Sequence, residues 1–168
     1  TRGPFLLSDD PGLADLRPGA AHVFGFGPEA GFRGIDLRLE GAESRFEVEG
    51  VPVRVPFPGT HNAANALAAL AATTAAGLPL REAAAALATC RGVRRRFESV
   101  GLRGGVTVID DYAHNPAKIE AALRCATTLA PRVFAFFQPH GFGPTRFLRN
   151  ELVAAFAAAA RPADQIFL

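Results

Sequence analysis

The chain has 168 residues, of which 49% are hydrophobic and 20% charged, and its formal net charge is +2. This balance is typical of a globular protein and not of a disordered one. It gives no general basic field, so the composition does not favour nucleic acid as a partner. The sequence contains no Met and opens at Thr1 directly into a Gly- and Pro-rich stretch, so we expect it to be cut from a longer protein.

Two features exclude further classes of protein. The Ala-rich run from Ala63 to Ala76 carries Asn and Thr residues, which favours a packed soluble helix over a membrane span. The two cysteines, Cys90 and Cys125, have no Cys or His partner at metal-ligand spacing, so we predict two small buried thiols and no metal site.

The first third of the chain is predicted to form a small antiparallel sheet. A single strand is expected at Ala21 to Phe26, inside a Gly- and Pro-rich stretch. Beyond it, apolar and polar residues alternate with the period of half-buried strands, and Glu49-Gly50 fits a tight hairpin turn. The predicted strands are Ile35 to Leu39, Ser44 to Glu49 and Val51 to Phe57.

Two helices and a change of rhythm follow. Thr60 is a plausible N-cap for a helix that ends before Gly77, and Pro79 fits the first turn of a second helix reaching Ala88. Beyond a basic connector, from Gly92 to Glu98, strands and helices alternate, which predicts a parallel α/β sheet with right-handed crossovers. The predicted elements are a buried strand at Val106 to Ile109, a helix at Pro116 to Leu129, a strand at Arg132 to Phe137, a helix at Arg146 to Ala160 and a strand from Gln165.

Ligands of parallel sheets bind beyond the carboxyl ends of the strands, and two polar segments fall there. The first is "DDYAHNP", where Asp110 and Asp111 could accept both hydroxyls of a ribose and His114 could donate to a phosphate or orient a substrate. Asn115 is a possible cap of the next helix. The second, "FQPHGFGPTRF", holds His140 and Arg146 and could bind an anionic group. For both, the alternative is an ordinary strand-to-helix loop.

Two further segments are candidate nucleotide contacts. Asn62 and Asn65 lie three apart on a helix, so both amides share one face and suit an adenine edge; helix capping is the alternative. In "GVRRRFE", one arginine of an extended connector could hold a phosphate by a bidentate contact. The alternative there is a solvated basic linker.

The order and spacing of four segments, "PGTHNAANALAALAA", "GVRRRFE", "DDYAHNP" and "FFQPH", resemble the Mur ligase family. Those enzymes are cytoplasmic and build the peptide stem of peptidoglycan, and the chain is most similar to the branch that adds L-alanine to UDP-N-acetylmuramate. The resemblance implies an α/β fold in two parts. Residues 1–97 would be the end of the ATP-binding central domain, a small antiparallel sheet plus helices, and residues 98–168 the truncated start of a Rossmann-like parallel α/β C-terminal domain.

The resemblance also implies roles for individual residues. Asn62 and Asn65 would contact adenine, Arg96 the phosphates or ribose of ATP, and one of Asp110 and Asp111 the ribose. Tyr112 and His114 would line the region of the incoming amino acid and the γ-phosphate, with His140 and Arg146 nearby. His114 and Arg146 are the candidate catalytic residues of this set.

The implied cofactors are ATP and Mg²⁺, and the implied partners are a UDP-muramyl substrate and an amino acid. The family's Gly-rich phosphate loop and its magnesium ligands are missing from this sequence, so we expect the chain alone to be inactive. Gly141 stands where the alanine-adding branch usually has an arginine, and Asn115 replaces a His that the family often shows. Another Mur-fold ligase, such as a murein peptide ligase or a cyanophycin- or folylpolyglutamate-type synthetase, is therefore an alternative. A non-catalytic nucleotide-binding module is another.

Overall fold

The computed structural model describes residues 5–16 and 21–168, and the chain divides into two compact units, Thr1–Arg91 and Gly92–Leu168. The division falls slightly before the predicted boundary at residues 97 and 98. Residues 92–97, the part of the basic connector that is called the connector below, lie in the second unit, where the Phe97 N–H donates to Asp111 at 2.7 Å. The units combine helices with small sheets, so the predicted α/β class is confirmed.

A five-stranded sheet organises the first unit. Its order is β1-β2-β3-β4-β5. The pairs β3–β4 and β4–β5 are antiparallel, as predicted, whereas the pairs β1–β2 and β2–β3 are parallel, which the sequence did not predict. The first strand was not predicted, because four residues flanked by Gly, Pro and Asp are too short to show a period. The strands are β1 (Phe5–Ser8), β2 (Ala21–Gly25), β3 (Phe32–Glu40), β4 (Glu43–Val48) and β5 (Val51–Val55), with a short 3-10 helix at Pro11–Leu16.

The hairpin between β4 and β5 sets which face of the sheet is buried. Val48 pairs with Val51 across the turn, and both turn residues have positive φ, 49° at Glu49 and 72° at Gly50. These are the values that a two-residue type I′ turn requires. Because the turn fixes the register, Val51, Val53 and Val55 alternate with exposed residues and all face the core.

Two helices, α1 (Thr60–Ala75) and α2 (Leu80–Ala88), supply the other side of this core. Leu67 and Leu70 of α1 are almost fully buried against the sheet residues Phe46, Val48 and Val53. None of the helices in the described part of the chain is long and apolar enough to cross a membrane.

The predicted N-cap at Thr60 is wrong. Gly59 occupies that position with φ of 96°, Thr60 is the first helical residue, and no side chain caps the helix. Instead, the Asn62 amide group donates 2.7 Å back to the Pro58 carbonyl. Gly77 does end the helix region with a φ of 98°, as expected of a left-handed glycine after a helix.

The second unit begins with an antiparallel hairpin that the sequence did not predict. Its strands are β6 (Glu98–Arg103) and β7 (Val106–Asp110). The prediction of a buried parallel strand at Val106 to Ile109 is therefore wrong: β7 pairs with β6, and Val106 and Val108 are more than half exposed. A short apolar run does not by itself distinguish a buried strand from an exposed one.

The rest of the second unit follows the predicted alternation more closely. The helix α3 (Pro116–Leu129) has the predicted bounds, and β8 (Phe134–Phe136) pairs in parallel with β9 (Gln165–Phe167). Ile119, Leu123, Leu152 and Ala159 form a core under these strands. The single predicted helix from Arg146 to Ala160 is instead two, α4 (Phe142–Phe147) and α5 (Arg149–Ala159), separated at Leu148.

Candidate functional site

The segment Asp110–Asn115, here called the acidic loop, connects β7 to α3 and is held from within by Asp111. One carboxylate oxygen of Asp111 accepts from the Ala113 N–H at 2.6 Å, and the other accepts from the Phe97 N–H at 2.7 Å. Hydrogen bonds to a charged acceptor are the short, strong ones in proteins. Asp111 therefore fixes both the loop and the connector that precedes β6.

The connector is a turn, and not the extended segment that the sequence predicted. The Arg96 N–H donates 3.1 Å to the Val93 carbonyl, and Arg95 and Phe97 have φ of 58° and 50°. Side chains of Arg94, Arg95 and Arg96 consequently do not alternate as they would in a strand. Within the described chain, the Arg94 and Arg96 side chains make no hydrogen bond, ion pair or ring contact, whereas Arg95 makes two.

Arg95 contacts the acidic loop with both its backbone and its side chain. Its carbonyl accepts from the Tyr112 N–H at 2.8 Å, and its guanidinium carbon lies 4.4 Å from the centre of the Tyr112 ring. The guanidinium Nε is 3.8 Å from an Asp110 carboxylate oxygen. The backbone N–H of Arg95 donates 2.8 Å to the Glu98 side chain. Sequence reasoning assigned no role to Arg95, because nothing in the linear order of three arginines distinguishes the one that meets the tyrosine.

Tyr112, His114 and His140 form a cluster of rings beside this contact. The ring centre of Tyr112 is 5.2 Å from that of His114 and 6.3 Å from that of His140, both tilted. His114 Nδ1 lies 2.9 Å from the Tyr112 carbonyl oxygen. A carbonyl oxygen can only accept, so Nδ1 is the donor of this hydrogen bond, and in the tautomer that carries its single proton on Nδ1 the other nitrogen, Nε2, is an acceptor. The structure thus brings together candidates from both predicted loops.

The acidic loop ends in the predicted cap. Asn115 precedes α3, and its side-chain oxygen accepts from the Lys118 N–H at 3.0 Å. Further along α3, Cys125 is buried, and burial together with the charge of Asp111 raises its pKa to about 11. The predicted buried thiol is correct for Cys125 and wrong for Cys90, which is exposed just beyond the end of α2.

The candidate adenine contacts lie in the first unit. Asn62 is half-buried and its side-chain amide donates one hydrogen bond to the Pro58 carbonyl, whereas Asn65 is exposed on α1 and its side chain makes no hydrogen bond to the described residues. The shared helix face that the spacing predicted is present, since both residues lie within α1.

Arg146 lies in a different setting from the one predicted. The segment expected to be a loop contains α4, and Arg146 lies in its last turn, exposed and with no side-chain partner among the described residues. A cation at the carboxyl end of a helix is favoured by the helix dipole. The prediction that a helix begins at Arg146 is therefore wrong.

The described residues contain no cluster of three or more His, Cys, Asp or Glu side chains that could hold a metal ion. Asp110 and Asp111 stand next to each other, but the two oxygens of Asp111 already accept backbone N–H groups. Mg²⁺ binds through carboxylate oxygens and water, and the residues of this loop do not assemble a set of such ligands.

Comparison with known proteins identifies the family. A family model described as "Mur ligase, glutamate ligase domain" matches residues 95–168. The UDP-N-acetylmuramate–L-alanine ligase of Acidothermus cellulolyticus is 42% identical over 94% of this chain and 36% of that protein. The protein of the same name from Deinococcus radiodurans is 39% identical over 97% of the chain and 34% of that protein.

Solved structures agree with these relatives. The UDP-N-acetylmuramate-alanine ligase from Thermotoga maritima superposes with a TM-score of 0.73 at 26% identity, covering 98% of this chain and 38% of that one. This chain belongs to the Mur ligase family. It spans about a third of the length of the curated relatives that it matches.

Proposed function

We propose that this chain is the adenosine-binding and amino-acid-facing part of an ATP-dependent ligase that joins UDP-N-acetylmuramate to an amino acid, L-alanine, in peptidoglycan precursor synthesis in the cytoplasm. The observation that supports it best is the acidic loop, where Tyr112 lies beside His114 and His140 and Asp110 pairs with Arg95, all within one unit. These are the groups that the family resemblance assigns to ribose, γ-phosphate and amino acid. The names of relatives matching over 94% of the chain support the same reading.

The proposed reaction has two steps. The muramyl carboxylate attacks the γ-phosphorus of ATP, which forms an acyl phosphate and releases ADP. The amine of the amino acid then attacks the acyl carbon, the C–O bond to phosphate breaks, and the departing phosphate takes up the proton that the nitrogen loses as the amide forms. Catalysis of such a sequence depends on positioning and charge neutralisation more than on covalent chemistry by the enzyme.

In this two-step reaction, several residues of the chain are proposed to hold ATP in place. Asn62 and Asn65 are proposed to contact adenine, Arg96 the phosphates, and Asp110 or Asp111 the ribose. Of the two acids, Asp110 keeps more of its carboxylate accessible, because both oxygens of Asp111 already accept backbone N–H groups.

His114 is proposed to act at the reacting centre. Its Nδ1 proton is held by the Tyr112 carbonyl, so its Nε2 is free to accept a hydrogen bond from the amine of the incoming amino acid. When one N–H of the amine donates to Nε2, the lone pair of the amine nitrogen is left to point at the acyl carbon. The proton on Nδ1 stays in its hydrogen bond to the Tyr112 carbonyl. Mg²⁺, which would neutralise phosphate charge in the complete reaction, is assigned to none of the described residues.

Arg146 is proposed to bind the carboxylate of the amino acid. Its guanidinium is exposed and has no partner in the described chain, so it is available to an anionic ligand. The substitution Arg146→Lys in an active ligase containing this chain should raise the KM for the amino acid and leave that for ATP nearly unchanged, because the bidentate contact is lost. An unaltered amino-acid KM would show that Arg146 only ends α4.

Nucleotide binding by the chain itself tests the proposal directly. Calorimetric titration with ATP, ADP and adenosine should show binding that GTP and UTP do not reproduce. Asn65→Ala and Asp110→Asn should each weaken it by roughly 5- to 150-fold, as expected for one lost hydrogen bond worth about 1–3 kcal/mol. Thr73→Ala serves as the matched control, because Thr73 lies on the same helix and bonds only to backbone carbonyls.

Catalysis is tested separately. The chain alone should release no phosphate from ATP in the presence of UDP-N-acetylmuramate and L-alanine. The reason is that the Gly-rich phosphate loop and the magnesium ligands of the family are missing from this sequence. Phosphate release above the rate without enzyme would contradict this expectation. A panel of other amino acids, in a ligase containing the chain, would distinguish the alanine-adding reaction from the reactions of other Mur-fold ligases.

A further inference from the structure

We infer that Arg95 is a positioning residue of the candidate site: its guanidinium, lying over the ring of Tyr112, sets the orientation of the Tyr112, His114 and His140 rings. This inference deepens the proposed function and rests on it for its consequence, but not for its geometry. The three arginines of the connector then divide into two kinds. Arg95 is turned toward the protein, and its neighbours Arg94 and Arg96 are left for solvent or ligand.

The backbone conformation of Arg95 is the first observation. A φ of 58° is uncommon for a residue with a Cβ atom and costs about 1 kcal/mol or more unless surrounding contacts compensate. Here the compensation is visible on both sides of the residue. The Arg95 N–H donates to Glu98 and the Arg95 carbonyl accepts from the Tyr112 N–H, both at 2.8 Å.

The second observation is the contact of the Arg95 side chain with the Tyr112 ring. The guanidinium carbon is 4.4 Å from the Tyr112 ring centre, well inside the distance at which a cation is attracted to an aromatic face. The planar guanidinium can also stack on the ring, which an ammonium group cannot do. Its Nε lies 3.8 Å from the Asp110 carboxylate, so one side chain touches both the aromatic and the acidic member of the site.

Tyr112 in turn contacts both histidines, so the orientation of its ring affects theirs. Its ring is tilted against those of His114 and His140, and its carbonyl holds the Nδ1 proton of His114. If the guanidinium is removed, one face of the Tyr112 ring loses its contact with Arg95 and the ring rotates more freely. The two histidines then lose the surface that fixes their own rings.

The composition of the chain offers a direct readout, because Tyr112 is its only tyrosine and it has no tryptophan. Tyrosine fluorescence, its quenching by iodide and the tyrosine band of the near-UV circular dichroism, which lies at longer wavelength than the phenylalanine bands, therefore report on this one ring. We expect Arg95→Ala to reduce the tyrosine dichroism by more than half and to raise iodide quenching about 2-fold or more. Arg94→Ala and Arg96→Ala are the matched controls, and both should leave the tyrosine signals as they are.

Two more substitutions separate the backbone from the side chain. Arg95→Gly relieves the positive φ but removes the guanidinium, so its tyrosine signals should resemble those of Arg95→Ala even though the fold is no less stable. Arg95→Lys keeps the charge without the planar group and should restore the signals only in part. Far-UV circular dichroism establishes that each variant is folded. Should Arg95→Ala fail to fold, the glycine variant decides the matter.

Tyrosine signals in Arg95→Ala and Arg95→Gly that equal those of the unsubstituted chain would overturn the inference. Signals that change equally in Arg94→Ala would overturn it too, since the effect would then belong to the loss of charge. Titration with ATP separates this result from the proposed function. If the unsubstituted chain binds no adenine nucleotide, the proposed function fails while the tyrosine signals still decide the role of Arg95. If it binds, Arg95→Ala should bind less tightly than Arg94→Ala.

Discussion

Replacing Asp111 should destabilise the second unit, whereas replacing its neighbour Asp110 should not. The Asp111 carboxylate accepts two backbone N–H groups at 2.6 and 2.7 Å, and both bonds are partly buried. The Asp110 carboxylate has only an exposed ion pair with Arg95, at 3.8 Å. The two substitutions change the same charge one residue apart, so the comparison isolates the hydrogen bonds.

The expected magnitude follows from those contacts. A hydrogen bond to a charged acceptor contributes about 1.5–3 kcal/mol. Water can reach the partly exposed amides of Phe97 and Ala113 after the change, so the full sum of two is not expected. We expect Asp111→Ala to lower the free energy of unfolding by about 2–4 kcal/mol. Asp111→Asn should cost less, since its carbonyl oxygen can keep one bond. An exposed ion pair contributes about 0–1 kcal/mol, which bounds the effect of Asp110→Asn.

Urea denaturation followed by tyrosine fluorescence measures this in the second unit, because Tyr112 is the only tyrosine. Amide hydrogen exchange offers an independent check: the Phe97 and Ala113 amides should lose protection in Asp111→Ala and keep it in Asp110→Asn. The charge of Asp111 also contributes to the raised pKa of Cys125, so that pKa should fall in Asp111→Asn. Equal stabilities of the Asp110 and Asp111 variants would refute the reasoning, as would unchanged protection of both amides.

Three further results are expected. Cys90 should react readily with a thiol reagent in the folded chain, and Cys125 should not, because only Cys90 is exposed. The pKa of Cys125 in the folded chain is about 11, above the ordinary 9.0. The free energy of unfolding should therefore fall as pH rises from about 9 to 11, by up to about 1.4 kcal/mol per pH unit, in a denaturant titration repeated across that range. Asp164 accepts from the Val133 and Arg161 N–H groups and pairs with the Arg161 guanidinium, which holds its pKa well below 3.8, so stability should fall as pH drops below about 4 and this acid loss should be smaller in Asp164→Asn. Leu67→Ala, at a side chain with no exposed surface in α1, should cost about 2–5 kcal/mol in denaturant titration.

Some of the candidate site could be read from residue order alone. The helix α3 was predicted with its observed bounds, because Asn115-Pro116 is a strong local start signal that needs no tertiary contact. The β4–β5 turn was predicted for a similar reason, since Glu49-Gly50 supplies the two left-handed residues that a tight hairpin requires. Both loops were selected from the sequence as candidate site segments, but the proximity of His140 to Tyr112 did not follow from the predicted strand order, because β7 and β8 belong to separate sheets.

Other features depended on contacts between distant residues. A short apolar run such as Val106 to Ile109 has no period that reveals its partner, and it was the pairing with β6 that made β7 an exposed hairpin strand. The helix predicted from Arg146 to Ala160 broke at Leu148, although its Ala-rich pattern gives no sign of a break. Threonine is a common N-cap, which is why Thr60 was predicted as the cap of α1. In the structure the residue at the N-cap position is Gly59, and Thr60 is already helical.

The sequence by itself determined the family, the α/β class and which segments carry polar side chains beyond strand ends, because these depend on residue type, spacing and local turn chemistry. The tertiary structure alone decided what each of those side chains does. Asp111 became an acceptor for two backbone amides only because Phe97 folds back to it across fourteen positions. Arg95, and not Arg96, met Tyr112 only because a left-handed turn redirected the connector. Side-chain direction depends on backbone dihedrals and on partners far away in sequence, and a linear pattern records neither.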